Sequence, residues 1–440
     1  MIDESVFSSR KALFHTFGCK LNFAETSTVA RLFAEKGIRR VQTGEVPDII
    51  VVNTCSVTEV ADKKCRQAIR GFARKYPEAA IVVTGCYAQL KSDEIAGLPG
   101  VAVVAGSDRK HMLSEYIDRW AADHATVREV TPSKDIRSFT PSCSAEDRTR
   151  HFLKVQDGCD YWCTYCTIPM ARGRSRSGTI PEIVAQAEKV AAEGGREIVI
   201  TGVNIGDFGK GRDDNFFDLI RALDRVEGIE RYRISSIEPN LLSDEIIDWV
   251  AQSRAFMPHF HVPLQAGSDE VLRMMRRHYD TALFRHRMER IRSAMPHAFI
   301  GVDLIVGARG ESDELFKRSH DFVESLDISR LHVFPYSERP GTRALEIDGV
   351  VSQEEKHRRT NVMLALSERK LADFTARFVG TVRPVLAEHP RKGKPMMGFT
   401  DNYLRVRMQP DEQLSGKVVD VRLGSYDTES EEIDGEIIMP

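Results

Sequence analysis

Twice along this chain, short apolar runs rich in β-branched residues alternate with longer stretches of helical character. That alternation limits the fold more than any other feature, because parallel strands need a long crossover between them, usually a helix. In the first stretch ALFHTF, PDIIVVNTC, AAIVVTGC and VAVVAG are strand candidates, separated by segments such as EVADKKCRQAIRGFARKYP. Near-continuous apolar strands belong to parallel sheets covered on both faces. The pattern predicts an α/β domain over residues 1–125 and a linker over 126–147.

From residue 148 the alternation resumes with RHFLKVQD, REIVITG, RYRISSI, HFHVPL, FIGVDLIVG and RLHVFPYS. Helical stretches such as IPEIVAQAEKVAAEG and DELFKRSHDFVESL lie between most of them. Six strand–helix units fit a partial (β/α) barrel better than a flat sheet, here over 148–375. After Gly380 the texture changes to short strand-like pieces, TVRPVLAEH, LRVRM and GKVVDVRLG, joined by turn-rich KGKPMMGFTDN. These predict a small β-barrel over 376–440, of the kind that binds oligonucleotides. Three domains suit 440 residues, more than one core usually holds.

The net charge of −3 argues against attachment to nucleic acid by bulk charge, though not against a local basic patch. No apolar run approaches the length of a transmembrane helix. The N-terminus lacks the features of a secretory signal, so a cytoplasmic setting is expected, where structural disulfides are rare.

Eight cysteines are too few for a disulfide framework, so their placement matters more than their number. Cys159, Cys163 and Cys166 stand in CDYWCTYC, a C-x3-C-x2-C spacing. Thiolates suit iron–sulfur clusters and zinc, but structural zinc usually takes four ligands and no fourth Cys or His lies in this loop. Three thiolates on a four-iron cluster leave one iron open to a substrate or cofactor. Cys19, Cys55 and Cys86 each follow a predicted strand. In a parallel sheet those strand ends share one edge, where open α/β sheets bind ligands. Cys65, mid-helix, and Cys143, in the linker, read as bystanders.

Arg172, Arg174 and Arg176 follow the cysteine loop, and guanidinium groups suit phosphates. A second basic group comprises Arg391, Lys392 and Lys394, followed by Tyr403, Arg405 and Arg407. Both are candidate RNA contacts, since looped RNA is read by stacking and base edges with cationic support. The acidic tail DTESEEIDGE opposes RNA. Glu238 and Gln265 follow barrel strands and Asp303 lies in one, where barrel sites form.

The C-x3-C-x2-C loop, with Tyr165 before its last Cys, resembles the signature of the radical S-adenosylmethionine (SAM) enzymes. That resemblance implies a [4Fe–4S] cluster on Cys159, Cys163 and Cys166, with SAM on the open iron. It also implies a glycine-rich edge for the SAM amino group, which Gly194, Gly195 and Glu197 resemble. FGCKLN, NTC, GCYAQ, CDYWCTYCTIPMARGRSRS, HVPLQAGSDEVLRMMRRHY and HVFPYSERPGTRA together resemble the methylthiotransferase family over nearly the whole chain. Membership would bring a second [4Fe–4S] cluster, on Cys19, Cys55 and Cys86, and a C-terminal TRAM barrel. GCKLN is similar to the branch that modifies N6-threonylcarbamoyladenosine in tRNA, whereas the isopentenyladenosine and ribosomal-protein branches carry GCQMN and GCPKN.

The resemblance implies methylthiolation of adenosine C2, with tRNA, a sulfur donor and an electron donor as partners. An aromatic C–H is too inert for acid–base chemistry, which is the reason for a radical. Alternatives are the same chemistry on isopentenyladenosine tRNA or a ribosomal protein, or a non-catalytic iron–sulfur sensor. One loop departs from the family: Gly307-Ala308-Arg309-Gly310-Glu311-Ser312 replaces Gly-Phe-Pro-Gly-Glu-Thr. Without the aromatic and the Pro, a looser loop is expected.

Overall fold

The structure is a computed structural model that describes residues 10–144, 149–391 and 393–438. Lys392, the first nine residues of the N-terminal stretch and the expected linker–barrel junction at 145–148 lie outside the described residues.

The first domain is a six-stranded parallel sheet. Its strands are β1 (Lys11–Thr16), β2 (Arg39–Arg40), β3 (Ile49–Thr54), β4 (Ala80–Gly85), β5 (Val101–Ala105) and β6 (Val127–Glu129), in the order β2-β1-β3-β4-β5-β6. Every residue of β3 and β4 is buried, which explains their unbroken apolar sequence. Helix α1 (Lys20–Glu35) follows β1, and α2 (Glu59–Lys75) follows β3. The expected linker is in fact divided between two sheets. β6 extends the first sheet beyond residue 125, and β7 (Ser142–Cys143) pairs antiparallel with β8 (Arg150–Lys154) of the second domain.

In that domain β8, β11 (Glu197–Thr201) and β12 (Arg231–Ile234) are parallel neighbours. So are β13 (His259–His261), β14 (Phe299–Val306) and β15 (Arg330–Pro335). Parallel bridges from Tyr232 to Phe256 and from Ser236 to His261 join the two groups into a six-stranded partial barrel. A short antiparallel pair, β9 (Gln156–Asp157) and β10 (Arg176–Ser177), brackets the cysteine loop.

The long helix Gln353–Ala376 leads to a closed barrel. It comprises β16 (Val382–Ala387), β17 (Met396–Thr400), β18 (Arg405–Met408), β19 (Val418–Asp427) and β20 (Glu432–Ile437). The acidic tail therefore supplies the end of β19 and most of β20. The barrel docks under β12: Arg231 donates to Phe399 O (3.0 Å) and Pro384 O (2.9 Å), and Arg233 to Thr400 O and Asp401 O (2.8 Å each). Among the described residues no helix is long and apolar enough to cross a membrane.

Candidate active site

Cys19, Cys55 and Cys86 lie just past the ends of β1, β3 and β4, which are adjacent in the sheet. Gly85 has φ +98°, and a Cβ there would fall 2.4 Å from Thr54 O, so only glycine lets these loops meet. Asn22 ties them further, donating to Phe17 O (2.8 Å) and Thr54 O (3.1 Å). Cys19 caps α1, whose first turn carries no acid, and the positive helix end favours thiolate there. Cys19 is solvent-accessible, yet the protein around it is dense enough that burial raises its thiol above the ordinary value, with Arg172 pulling the other way. Burial pushes Cys55 up to about 12.

Beside these thiols lies a buried charge network that joins the first two domains. Glu25 accepts from Arg172 (3.0 Å), Lys154 (2.8 Å) and Lys110. Asp157 accepts from Lys154 (2.7 Å), Arg172 (2.9 Å) and Arg176 (3.1 Å). Burial works to raise Glu25, but Arg172, Lys110 and Lys154 more than reverse it and hold the carboxyl well below its usual range. Four cations thus share two carboxylates, and the surplus is positive. An ionised Cys86 would stabilise the charges of both Lys110 and Arg172. A buried positive surplus needs anions nearby, and an iron–sulfur cluster on three thiolates meets that need.

The second triad lines a cavity of about 330 Å³ at the C-terminal end of the partial barrel. Cys159, Cys163 and Cys166 share it with Tyr161, Tyr165, Asn204, Glu238, Gln265 and Arg277. Val57 and Thr58, just after Cys55, line it too, so the first domain contributes to its wall. Thr167 Oγ1 donates to Ser56 O (3.3 Å) across that boundary, and Arg339 donates to Asp62 (2.7 Å) and Ser56 Oγ (2.8 Å). Burial raises Cys159 and Cys166 to about 12. Arg277 reaches Cys163 Sγ (3.0 Å) and pairs with Glu238.

Tetrahedral zinc would hold thiolates about 3.8 Å apart. Among the described residues, the groups of donor atoms within 4.8 Å of one another are His261/Asp303/His332 and His320/Asp321/Glu324. Neither cysteine triad is among them. The cavity also fits SAM. The buried side-chain amide of Asn204 lies beside Tyr161, makes no hydrogen bond of good geometry among the described residues, and is placed to meet a polar ligand. Gln156 fixes that loop, its Oε1 accepting from the backbone N–H of Val203 (3.0 Å) and Asn204 (2.8 Å). Its Nε2 donates to Gly158 O (2.7 Å), beside Cys159.

Several expectations need correction. Gly194, Gly195 and Glu197 sit at the start of β11, the end remote from the cysteines. Glu197 is wholly buried against Arg233 (2.8 Å), the residue that holds the C-terminal barrel, so this edge does not line the cavity. The edge that does is at the other end of the strand, Val203-Asn204, a placement the glycine pair obscured. Arg172 is 1% exposed and bound to Glu25, Asp157 and Asn22, out of reach of RNA. Arg176 donates to Asp157 and to the carbonyls of Ser138 (2.7 Å) and Arg172 (2.6 Å). Of that run only Arg174 is exposed, beside Asp160 at 3.2 Å.

On the C-terminal barrel Arg405 pairs with Glu432 (3.3 Å) and Arg407 with Asp434 (2.8 Å), so the acidic tail neutralises both. Arg391 and Lys394 border separate surface grooves. The atypical loop is not loose. Arg309 donates to Glu338 (2.7 Å) and Leu345 O (2.8 Å), and Glu311 is clamped by Arg359 (2.8 Å). Arg277, Tyr161, Asn204 and Phe334 are site residues the sequence reading missed. Only Arg277 and Phe334 lay within quoted motifs outside the cysteine loop.

A second cavity, of about 640 Å³, runs down the barrel interior to the C-terminal domain. It shares Asp303 and Phe334 with the first, and Lys20 and His259 line it. Asp303 accepts from His261 Nε2 (2.6 Å), whose Nδ1 meets Ser236 Oγ (3.1 Å).

A parallel-sheet domain, a partial barrel with a three-cysteine loop at its catalytic end and a closed C-terminal barrel define an enzyme of the radical SAM class. Residues 153–323 match the family model of the Radical SAM superfamily, and residues 11–106 match that described as Uncharacterized protein family UPF0004. The chain is 38% identical over 424 residues to threonylcarbamoyladenosine tRNA methylthiotransferase MtaB of Bacillus subtilis, covering 93% of each. It is 32% identical to the tRNA-2-methylthio-N(6)-dimethylallyladenosine synthase of Syntrophotalea carbinolica, over 93% of this chain and 95% of that one. A radical SAM methyltransferase, TsrM from Kitasatospora setae, shares the fold with a TM-score of 0.58 at 14% identity, over 76% of this chain and 77% of that one. The chain belongs to the radical SAM methylthiotransferase family, and SAM and iron–sulfur clusters are its cofactors.

Proposed function

We propose that this enzyme methylthiolates C2 of N6-threonylcarbamoyladenosine, or its cyclic form, at position 37 of tRNA. The observation that carries the reading is that the cavity lined by Cys159, Cys163 and Cys166 is lined also by Val57 and Thr58, from the loop that begins at Cys55 of the other thiol triad. One cluster on each triad, with SAM, supplies the radical and the sulfur when bound. The chain's own residues hold and enclose these groups. Asn204, Gln265 and Tyr165 border the space for SAM, and Arg277 braces Cys163 against Glu238. Lys110 and Arg172 supply positive charge beside the Cys19/Cys55/Cys86 triad. Phe334, 50% exposed where the two cavities meet, offers a face on which an adenine can stack.

The substrate follows from relatives named for threonylcarbamoyladenosine tRNA and from the GCKLN motif. The anticodon stem-loop is then the docking partner, with Arg174, Arg391 and Lys394 the exposed cations left to meet its backbone. A reductant and a sulfur donor complete the reaction, in the cytoplasm. The test is nucleoside mass spectrometry after anaerobic reconstitution with SAM, reductant, sulfide and tRNA. Methylthiolation of threonylcarbamoyladenosine is expected. Modification of isopentenyladenosine tRNA alone would overturn the substrate, and no methylthiolation of either would overturn the reading.

A further inference from the structure

The 640 Å³ cavity contains a cation that pairs with no anion among the described residues. Lys20 is half-buried at its wall, and no hydrogen bond or ion pair to its ammonium occurs among the described residues. The neighbouring cations are satisfied: Arg330 pairs with Glu431 (2.7 Å) and Arg405 with Glu432 (3.3 Å). Asp303 is taken by His261 (2.6 Å). Lys20 is also the first residue of α1, whose helix end adds positive potential. The field reaches the walls. Burial lowers His259 and His332, and Lys20 lowers both further. Tyr403 is lowered despite its burial, with Lys20 and Arg150 the leading causes. A second group independently awaits a ligand: His259 is 5% exposed, lines the same cavity, and its Nδ1 is buried without a hydrogen-bond partner among the described residues.

We propose that Lys20 is the specificity-determining residue of this enzyme, receiving the free carboxylate of the linear threonylcarbamoyl group, which the cyclic form lacks, while His259 meets one of that group's oxygens. The assignment rests on the substrate reading above. The geometry accommodates it, because Phe334 and Asp303 line both this cavity and the one beside the thiols. An adenine on Phe334 has that space on one side and the Lys20 cavity on the other. An isopentenyl group offers no charge to Lys20 and would leave the ammonium desolvated and unpaired, which works against that substrate.

The test is binding of fluorescent anticodon stem-loops to the reconstituted enzyme. One carries threonylcarbamoyladenosine, the other its carboxylate methyl ester. Wild-type protein is expected to prefer the acid by about ten- to a hundredfold, as a charge-assisted hydrogen bond requires. In Lys20→Met and Lys20→Gln that preference falls to about twofold or less, and in Lys20→Arg most of it remains. Iron content confirms that the adjacent cluster site is intact. Equal wild-type binding of acid and ester overturns the inference without any variant, as does an undiminished preference in an iron-replete Lys20→Met. Wild-type protein that leaves the acid stem-loop unmodified while modifying an isopentenyladenosine one overturns the substrate reading instead.

Discussion

Arg172→Met should undock the first two domains. The guanidinium makes four hydrogen bonds: two to Glu25, one to Asp157 and one to Asn22, at 2.7–3.1 Å. Glu25 and Asn22 belong to α1, while Arg172 and Asp157 belong to the barrel domain. All four side chains are at most 3% exposed. Glu25 and Asp157 keep Lys110, Lys154 and Arg176, so the loss is below the sum of four charged hydrogen bonds. Both carboxylates stay compensated, so the cost is that of lost charge-assisted hydrogen bonds, about 1.5–3 kcal/mol, a sizeable part of a typical domain's 5–15 kcal/mol or so. The assay is urea unfolding of iron-free protein. With a slope of about 3 kcal/mol per M, the first-domain midpoint should fall by roughly 0.5–1 M. Arg172→Lys keeps the charge but loses the fork, and should fall between. Arg174→Ala, at an exposed pair, should cost less than about 1 kcal/mol. A shift for Arg172→Met below about 0.3 M, or an equal shift for Arg174→Ala, would refute the reasoning.

Asn204→Leu should weaken SAM binding by about tenfold or more in equilibrium dialysis, since a ligand's polar groups lose a buried partner; unchanged affinity would place SAM elsewhere. Glu197→Gln should leave SAM affinity intact and instead loosen the C-terminal barrel, read as faster proteolysis around residue 380, because Arg233 bridges Glu197 to that barrel. Burial, then His261, depresses His332 to about 4, with Asp303 opposing. This histidine stays neutral in the folded chain while the unfolded chain takes up a proton, so its stabilising contribution is complete above about pH 6.5 and is lost as pH falls through 4. The loss is roughly 3 kcal/mol, and His332→Gln should flatten the acid limb of the stability profile.

The strands of both parallel domains were legible because buried parallel strands write themselves as apolar runs. The first thiol triad was legible because Cys19, Cys55 and Cys86 follow strands that lie side by side. What stayed hidden depended on partners far along the chain. Arg172 reads as a phosphate ligand until Glu25, 147 residues away, is seen beside it. The acidic tail reads only as a stretch that opposes RNA until β20 closes the barrel and neutralises Arg405 and Arg407. A glycine pair before a strand has no sign that tells one end of a barrel from the other. The edge that lines the thiol cavity is Val203-Asn204, whose only local signal is their place after β11. Lys20 was noticed as part of a motif, but its cavity is built from β13, β14, β15 and the C-terminal barrel.

The account stands on two thiol triads with separate tasks. The direct test is a Cys19→Ala, Cys55→Ala, Cys86→Ala variant, reconstituted beside wild type, with 5'-deoxyadenosine and methylthiolated nucleoside measured in the same reaction. The account predicts that the variant loses about half of its iron, still cleaves SAM to 5'-deoxyadenosine and makes no methylthio product. Methylthiolated tRNA from that variant would contradict it.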